Sequence, residues 1–133
     1  MSTIPTPADV FARSTRALIA PAPHDPVTDE PFRRLWERGV TGSRLIRNTK
    51  LVALTLAAGA DWTTGALADP RLSVGQLAEA TTLTHGQVVV SLNAMEQRGW
   101  LRRDSRRTRW GAAEVRLTIP NALMPRLIET RPA

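Results

Sequence analysis

Two short polar motifs constrain the fold of this chain more than any other feature of its sequence. Residues 73 to 76 read Ser-Val-Gly-Gln, and residues 84 to 87 read Thr-His-Gly-Gln. In each motif the hydroxyl can accept the backbone N–H three residues later while the glutamine reaches back, which is the capping box that begins a helix. The spacing predicts two short helices separated by a tight turn, and Gly99 is placed to end the second one.

The hydrophobic period changes from helical to strand-like after Gly99. Val115, Leu117 and Ile119 alternate with polar residues, a pattern that is typical of a half-buried strand. Residues 100 to 103 are the expected antiparallel partner of this strand. The polar stretch between the two strands is expected to form a hairpin tip.

Two further helices are expected upstream of the capping boxes. The first begins near Phe32 and is expected to end at Gly39. The second covers residues 44 to 58, with Ser43 as its cap. Because its second half is apolar on nearly every side, it is expected to be the buried central helix.

The prolines divide the chain into an arm, a compact domain and a tail. Most of the ten prolines lie in residues 1 to 31, which are expected to form a largely disordered arm with one short helix over residues 6 to 20. Residues 32 to 119 form the expected domain. Residues 120 to 133 form a tail with a small apolar patch that could dock on the core or face a partner.

The predicted element order is helix, helix, turn, helix and hairpin, which predicts a mainly α fold with a small β-hairpin. This is the order of a winged helix-turn-helix, with a three-helix core plus a two-stranded wing. Residues 72 to 101 read Leu-Ser-Val-Gly-Gln-Leu-Ala, then a turn ending in Leu-Thr, a helix with spaced Val and Leu, and Gly-Trp-Leu. This stretch resembles bacterial winged helix-turn-helix modules of the MarR-like and plasmid-replication-associated kind. The resemblance covers about residues 44 to 119 and implies binding of double-stranded DNA by the helix over residues 84 to 98.

Arginine is concentrated in the predicted wing, residues 102 to 112. The formal net charge of +6 favours an anionic partner. The wing arginines expected to follow the DNA backbone or to enter the minor groove are Arg102, Arg103, Arg106, Arg107 and Arg109. Trp110 is expected to stack or to pack against the base of the strands. A solvated basic loop is the alternative interpretation.

The outer face of the predicted recognition helix contains no basic residue. Family members often carry Arg or Lys where this chain has Gly86, Val89 and Val90, so modest base discrimination is expected. The candidate DNA contacts outside the wing are Ser73, Thr84, His85, Gln87, Val90 and Asn93. Two alternatives stay open: Gln87 could act only in capping, and the two valines could form a protein-contact patch.

Thr82 departs from the family pattern at the turn between the two capped helices. That position is often Gly, which tolerates positive φ, whereas a β-branched residue would be strained there. We therefore expect either a slightly different turn or an earlier end of the preceding helix.

The sequence contains no constellation that indicates catalysis, a metal, a cofactor or a small-molecule ligand. There is no cysteine, and His24 and His85 each stand alone. No segment is apolar enough for a membrane span or a signal peptide. We therefore expect a non-enzymatic protein of the bacterial cytoplasm that associates with the nucleoid through DNA.

Three functions remain open. The leading hypothesis is a transcriptional regulator that binds double-stranded DNA as a homodimer, with residues 32 to 36 and 123 to 128 as candidate dimer contacts. The second is a DNA-binding accessory protein of a plasmid or phage, acting in replication, partition or excision. The third is a winged-helix protein-interaction module that binds no DNA.

Overall fold

A computed structural model describes residues 17 to 129 of the chain. The structure is mainly helical with one small antiparallel sheet, as the sequence predicts at that level. In chain order the elements are α1 (Phe32–Thr41), α2 (Arg47–Ala58), α3 (Val74–Thr81), α4 (His85–Gln97), β1 (Leu101–Arg103), β2 (Val115–Leu117) and α5 (Met124–Glu129).

Helix α1 continues through Gly39 rather than ending there. A Cβ at this position would lie 2.5 Å from the ring of Trp100, so Gly39 is required by close packing and not by a helix end. The indole N–H of Trp36, on the same helix, donates to the carbonyls of Trp100 and Thr118 at 2.9 and 3.0 Å. These bonds tie α1 to the base of the hairpin.

Helix α2 begins at Arg47, three residues later than expected, and Ile46 takes the capping position. The hydroxyl of Ser43 instead donates to the carbonyl of Val40 at 2.6 Å, which ends α1. The expectation of burial on every side is wrong, because Leu51 and Leu54 are 43% and 37% exposed. The helix is central nevertheless, since it packs against α1, α3 and α4.

The turn between α3 and α4 has the left-handed conformation that Thr82 was expected to avoid. Its φ is 61° and its ψ is 24°, and it follows directly after α3. A β-branched residue in this region is strained, so the packing of the two helices compensates for the cost of the turn.

Gly99 ends α4 as predicted, with a φ of 84°. The N–H of Gly99 donates to the carbonyl of Glu96 and that of Trp100 to Met95, which is the Schellman arrangement. The chain then enters β1, which pairs with β2 in the register Leu101 to Leu117. The expected hairpin is therefore confirmed.

A third segment lies beside β2, because the N–H of Val115 donates to the carbonyl of Pro70 at 2.8 Å. Further along, Ile119 accepts from Ala22 at 2.9 Å, and Asn121 donates to Ala20 at 2.8 Å. Ordered chain therefore extends into the expected arm, where residues 18 to 22 run against residues 119 to 122. This non-local pairing covers the end of β2.

The start of the chain lies largely outside the described residues. The expected helix over residues 6 to 20 falls mostly there, and residues 17 to 19 are helical. Gly99 has no side chain and so leaves room for the helical residues 17 to 19. A Cβ at position 99 would lie 2.6 Å from the carbonyl oxygen of Ile19.

Helix α5 docks on α1, so the apolar patch of the tail folds back on the core. Met124 is 7% exposed, and the guanidinium of Arg38 donates to the carbonyl of Leu127 at 3.1 Å. Trp36 is fully buried and Leu35 is 1% exposed. The expectation that residues 32 to 36 form a dimer surface is therefore wrong, because these side chains are consumed within one chain.

The burial of α4 makes a paired prediction about stability. Leu92 is fully buried, whereas Val90 on the same helix is 62% exposed. We expect Leu92→Ala to cost about 2–5 kcal/mol because it leaves a cavity in the core. Val90→Ala should change the free energy of unfolding by about 0.5 kcal/mol or less. Urea denaturation measures both, and equal effects would mean that the register of α4 is incorrect.

The strained turn makes a second prediction. Thr82→Gly should raise the free energy of unfolding by about 0.5–1 kcal/mol, because glycine removes the left-handed penalty at some entropic cost. The control is Ala80→Gly, an exposed position inside α3, which should lower stability by about 1 kcal/mol. Destabilisation by both variants in the same urea assay would show that Thr82 is not strained.

Candidate nucleic-acid interface

Helix α4 has a buried face and a solvent-exposed face. The buried side chains recur at the predicted helical spacing and are those of Val88, Leu92 and Met95. The exposed face has no basic residue and consists of Gly86, Val90, Asn93 and Gln97. Val89 was expected on this exposed face, but it is half-buried and packs against the core.

The first turn of α4 carries three of the predicted contact residues. The Thr84 hydroxyl accepts from the Gln87 N–H at 3.1 Å, and the Gln87 side-chain oxygen accepts from the Thr84 N–H at 2.9 Å. This complete capping box accounts for both side-chain oxygens. His85 is exposed beside the first turn of α3, where its Cε1 lies 3.6 Å from the position of a Cβ on Gly75.

Ser73, also predicted to contact DNA, caps α3. Its hydroxyl accepts from the N–H of Gln76 at 3.2 Å, and the side chain lies at an exposed helix start. The starts of α3 and α4 are thus brought to one side of the domain by the Thr82 turn. The sequence motifs predict both helix starts, but of the capping box predicted at Ser73 the structure shows only the bond from the Gln76 N–H to the hydroxyl.

Arg103 differs from the other predicted wing arginines because its guanidinium makes three hydrogen bonds within the protein. It donates to both carboxylate oxygens of Glu96 at 2.9 and 2.8 Å, and to the carbonyl of Thr108 at 2.8 Å. It also lies 4.0 Å from the centre of the Trp110 ring, within range of a cation–π contact. The hydrogen bonds with Glu96 raise the pKa of Arg103.

The tip of the hairpin, residues 104 to 114, folds against α4 instead of extending into solvent. Trp110 is 5% exposed, and its indole N–H donates to the side-chain oxygen of Asn93 at 2.9 Å. Ala113 is fully buried. Of the two expected roles for Trp110, packing is the one that the structure shows. The side-chain oxygen of Asn93, a predicted base contact, is used in holding the hairpin.

The remaining hairpin arginines are exposed and make no ion pair with another residue between positions 17 and 129. The ones predicted as DNA contacts are Arg102, Arg106, Arg107 and Arg109. Arg116 joins them, since it is exposed and lies directly across the sheet from Arg102. Like charges directly opposite each other repel, so this pair favours an external anion.

Three contributors to this arrangement were missed as site residues by the sequence analysis: Glu96, Thr108 and Arg116. Glu96 and Arg103 lie seven residues apart across a helix end, where no local rule pairs them. Arg116 could have been found from the alternation of its strand, which places it outward beside Arg102.

Within residues 17 to 129 no His, Asp and Glu side chains cluster as metal ligands. No helix in this part of the chain is long and apolar enough to cross a bilayer. Comparison with protein-family models, with curated proteins and with solved structures yielded no match to this chain.

Proposed function

We propose that this chain is a non-enzymatic, winged-helix protein that binds double-stranded DNA. The observation that carries the proposal is the packing of an arginine-rich hairpin against the helix that follows a capped helix and a tight turn. The segment at Pro70 supports the winged-helix assignment. Its carbonyl accepts from the Val115 N–H and so places a third backbone segment beside the hairpin. In such proteins the second helix of the pair enters the major groove and the hairpin lies on the adjacent backbone.

Charge is divided unequally between the two proposed contact surfaces. Five exposed arginines lie on the hairpin, whereas the outer face of α4 from Gly86 to Gln97 has no basic residue. Phosphate contacts provide affinity that falls with salt, and base contacts provide discrimination. The hairpin therefore supplies most of the affinity, and α4 supplies the base contacts.

The base contacts available to α4 are few. Val90 offers methyl groups that can pack on a thymine methyl, and His85 lies at the start of the helix. The Asn93 amide nitrogen remains able to donate, although its oxygen accepts from Trp110. Bidentate recognition of adenine by Asn93 would require that bond to break. We therefore expect modest sequence preference.

The structure of α4 disfavours the protein-interaction alternative. Its contact patch was to be formed by Val89 and Val90, and only Val90 is exposed. A transcriptional regulator stays the leading proposal. An accessory role in replication, partition or excision of a mobile element uses the same interface with a different DNA target.

A homodimer remains part of the proposal, because one small domain reads few base pairs and paired half-sites are common in this class of DNA-binding protein. Its contact surface is not the apolar side of α1. The number of chains per duplex can be measured by light scattering in the binding experiments that follow.

Removing three hairpin charges tests the proposed function. Arg106, Arg107 and Arg109 changed together to Ala should weaken binding to all duplexes. The slope of log affinity against log salt should flatten by about 0.9 for each phosphate contact that is lost. The control carries the same charge change on other elements, with the exposed residues Arg34, Arg44 and Arg47 changed to Ala. An equal loss of affinity in both variants would indicate general charge attraction. An unchanged affinity in the hairpin variant would show that the hairpin does not contact DNA.

A second variant tests base reading by α4. His85→Ala should leave the salt slope unchanged and reduce the affinity ratio between a selected duplex and a random one by about tenfold, for one lost contact. Gln97→Ala, an exposed change at the other end of α4, is the matched control. An unchanged ratio in the His85 variant, measured on a duplex selected from a random pool, would exclude this residue from sequence readout.

A further inference from the structure

Arg103 and Glu96 form the best-connected polar contact of the hairpin. Their side chains are each 11% exposed and meet through two parallel hydrogen bonds of 2.8 and 2.9 Å. A guanidinium paired in this way is oriented as well as neutralised. Its third hydrogen bond, to the Thr108 carbonyl, links the guanidinium to the hairpin tip.

The same guanidinium supports Trp110, which is the second link between the hairpin and α4. The ring of Trp110 lies against Arg103, and its indole N–H reaches Asn93 on α4. Arg103, Glu96, Thr108 and Trp110 are called the Arg103 cluster below. The cluster spans the helix, the first strand and the tip, so it fixes the tip relative to the exposed face of α4.

We propose that the Arg103 cluster positions the hairpin for DNA, and that Arg103 is a positioning residue rather than a phosphate contact. This inference rests on the proposed function and changes the role of one residue within it. The sheet is only three residue pairs long, and a two-stranded hairpin of this size is marginal without packing. Without the cluster, the exposed arginines of the tip would have to be ordered when DNA binds, which costs affinity.

Glu96→Gln distinguishes this role from a simple charge effect by the sign of its result. The variant removes a negative charge and replaces one of the two oxygens that accept from the guanidinium with an NH2 donor. If Arg103 contacts phosphate or acts only as charge, the variant should bind duplex DNA more tightly and with a steeper salt slope. If the cluster positions the hairpin, affinity should fall about tenfold, equivalent to about 1.4 kcal/mol of binding free energy.

Two lysine substitutions provide a matched pair at constant charge. Arg103→Lys keeps the charge but cannot reproduce the two-pronged contact with Glu96. It should lose affinity by a similar factor, with an unchanged salt slope. Arg34→Lys, at an exposed position on α1 outside the proposed interface, should bind as the original chain does.

A readout without DNA follows the indole N–H of Trp110 by NMR. Its resonance is identified by its absence from Trp110→Phe, and circular dichroism checks that each variant is folded. Glu96→Gln and Arg103→Lys should shift this resonance and speed its exchange with solvent, whereas Arg34→Lys should do neither. An unperturbed resonance in both cluster variants would overturn the positioning role.

The outcomes separate this inference from the proposed function. If the original chain shows no salt-dependent binding to duplex DNA, both fail. If it binds and Glu96→Gln binds more tightly, only the positioning role fails, and Arg103 returns to the set of phosphate contacts. Weaker binding by both cluster variants, with the indole resonance shifted, supports the proposal.

Discussion

The indole N–H of Trp36 is the contact on which the arrangement of the domain depends. It donates to the carbonyls of Trp100 and Thr118. Trp100 comes directly before β1 and Thr118 directly after β2, so the two residues form the base of the hairpin. Trp36 is fully buried, so leaving these polar groups without partners would carry a full desolvation cost. The rings of Trp36 and Trp100 also meet edge to face, at 6.2 Å between centroids. Helix α1 is thereby fixed to the sheet, and the close approach explains why Gly39 lies inside a helix.

The hairpin is held at two points, because Trp36 fixes its base and Arg103 fixes its tip. The three residue pairs between these points could not hold a defined position by themselves. Segment 18 to 22 adds backbone hydrogen bonds beyond the end of β2. The polar surface of the hairpin therefore belongs to a packed unit. Its exposed arginines are presented in a fixed relation to α4, which is what a two-part contact with a regular duplex requires.

The features that the sequence predicts correctly are those specified by neighbouring residues. The capping box at Thr84 and the glycine end at Gly99 depend on hydrogen bonds within five residues, and both are present. Two of the features that it misplaces depend on distant partners. Gly39 looks like a helix end until the ring of Trp100 is beside it. In the sequence Arg103 cannot be distinguished from its exposed neighbours, because its contacts with Glu96 and Trp110 form only in the folded chain. For the site, composition identifies the basic hairpin, but only packing shows which arginine is consumed internally.

The division between free and paired arginines also explains how an acidic residue can lie on the proposed DNA-binding helix. A carboxylate facing phosphate would be repelled, yet Glu96 is the only charged residue of α4 among its described positions 86 to 97. Arg103 offsets that charge and at the same time orients the tip that carries Arg106, Arg107 and Arg109. Losing Glu96 would therefore have two opposed effects on the proposed binding, a favourable change in local charge and a loss of orientation, whereas losing Arg103 would be unfavourable on both counts. Because the helix itself supplies no cation, the proposed binding of DNA would depend more on the orientation of the hairpin than on the charge of Glu96.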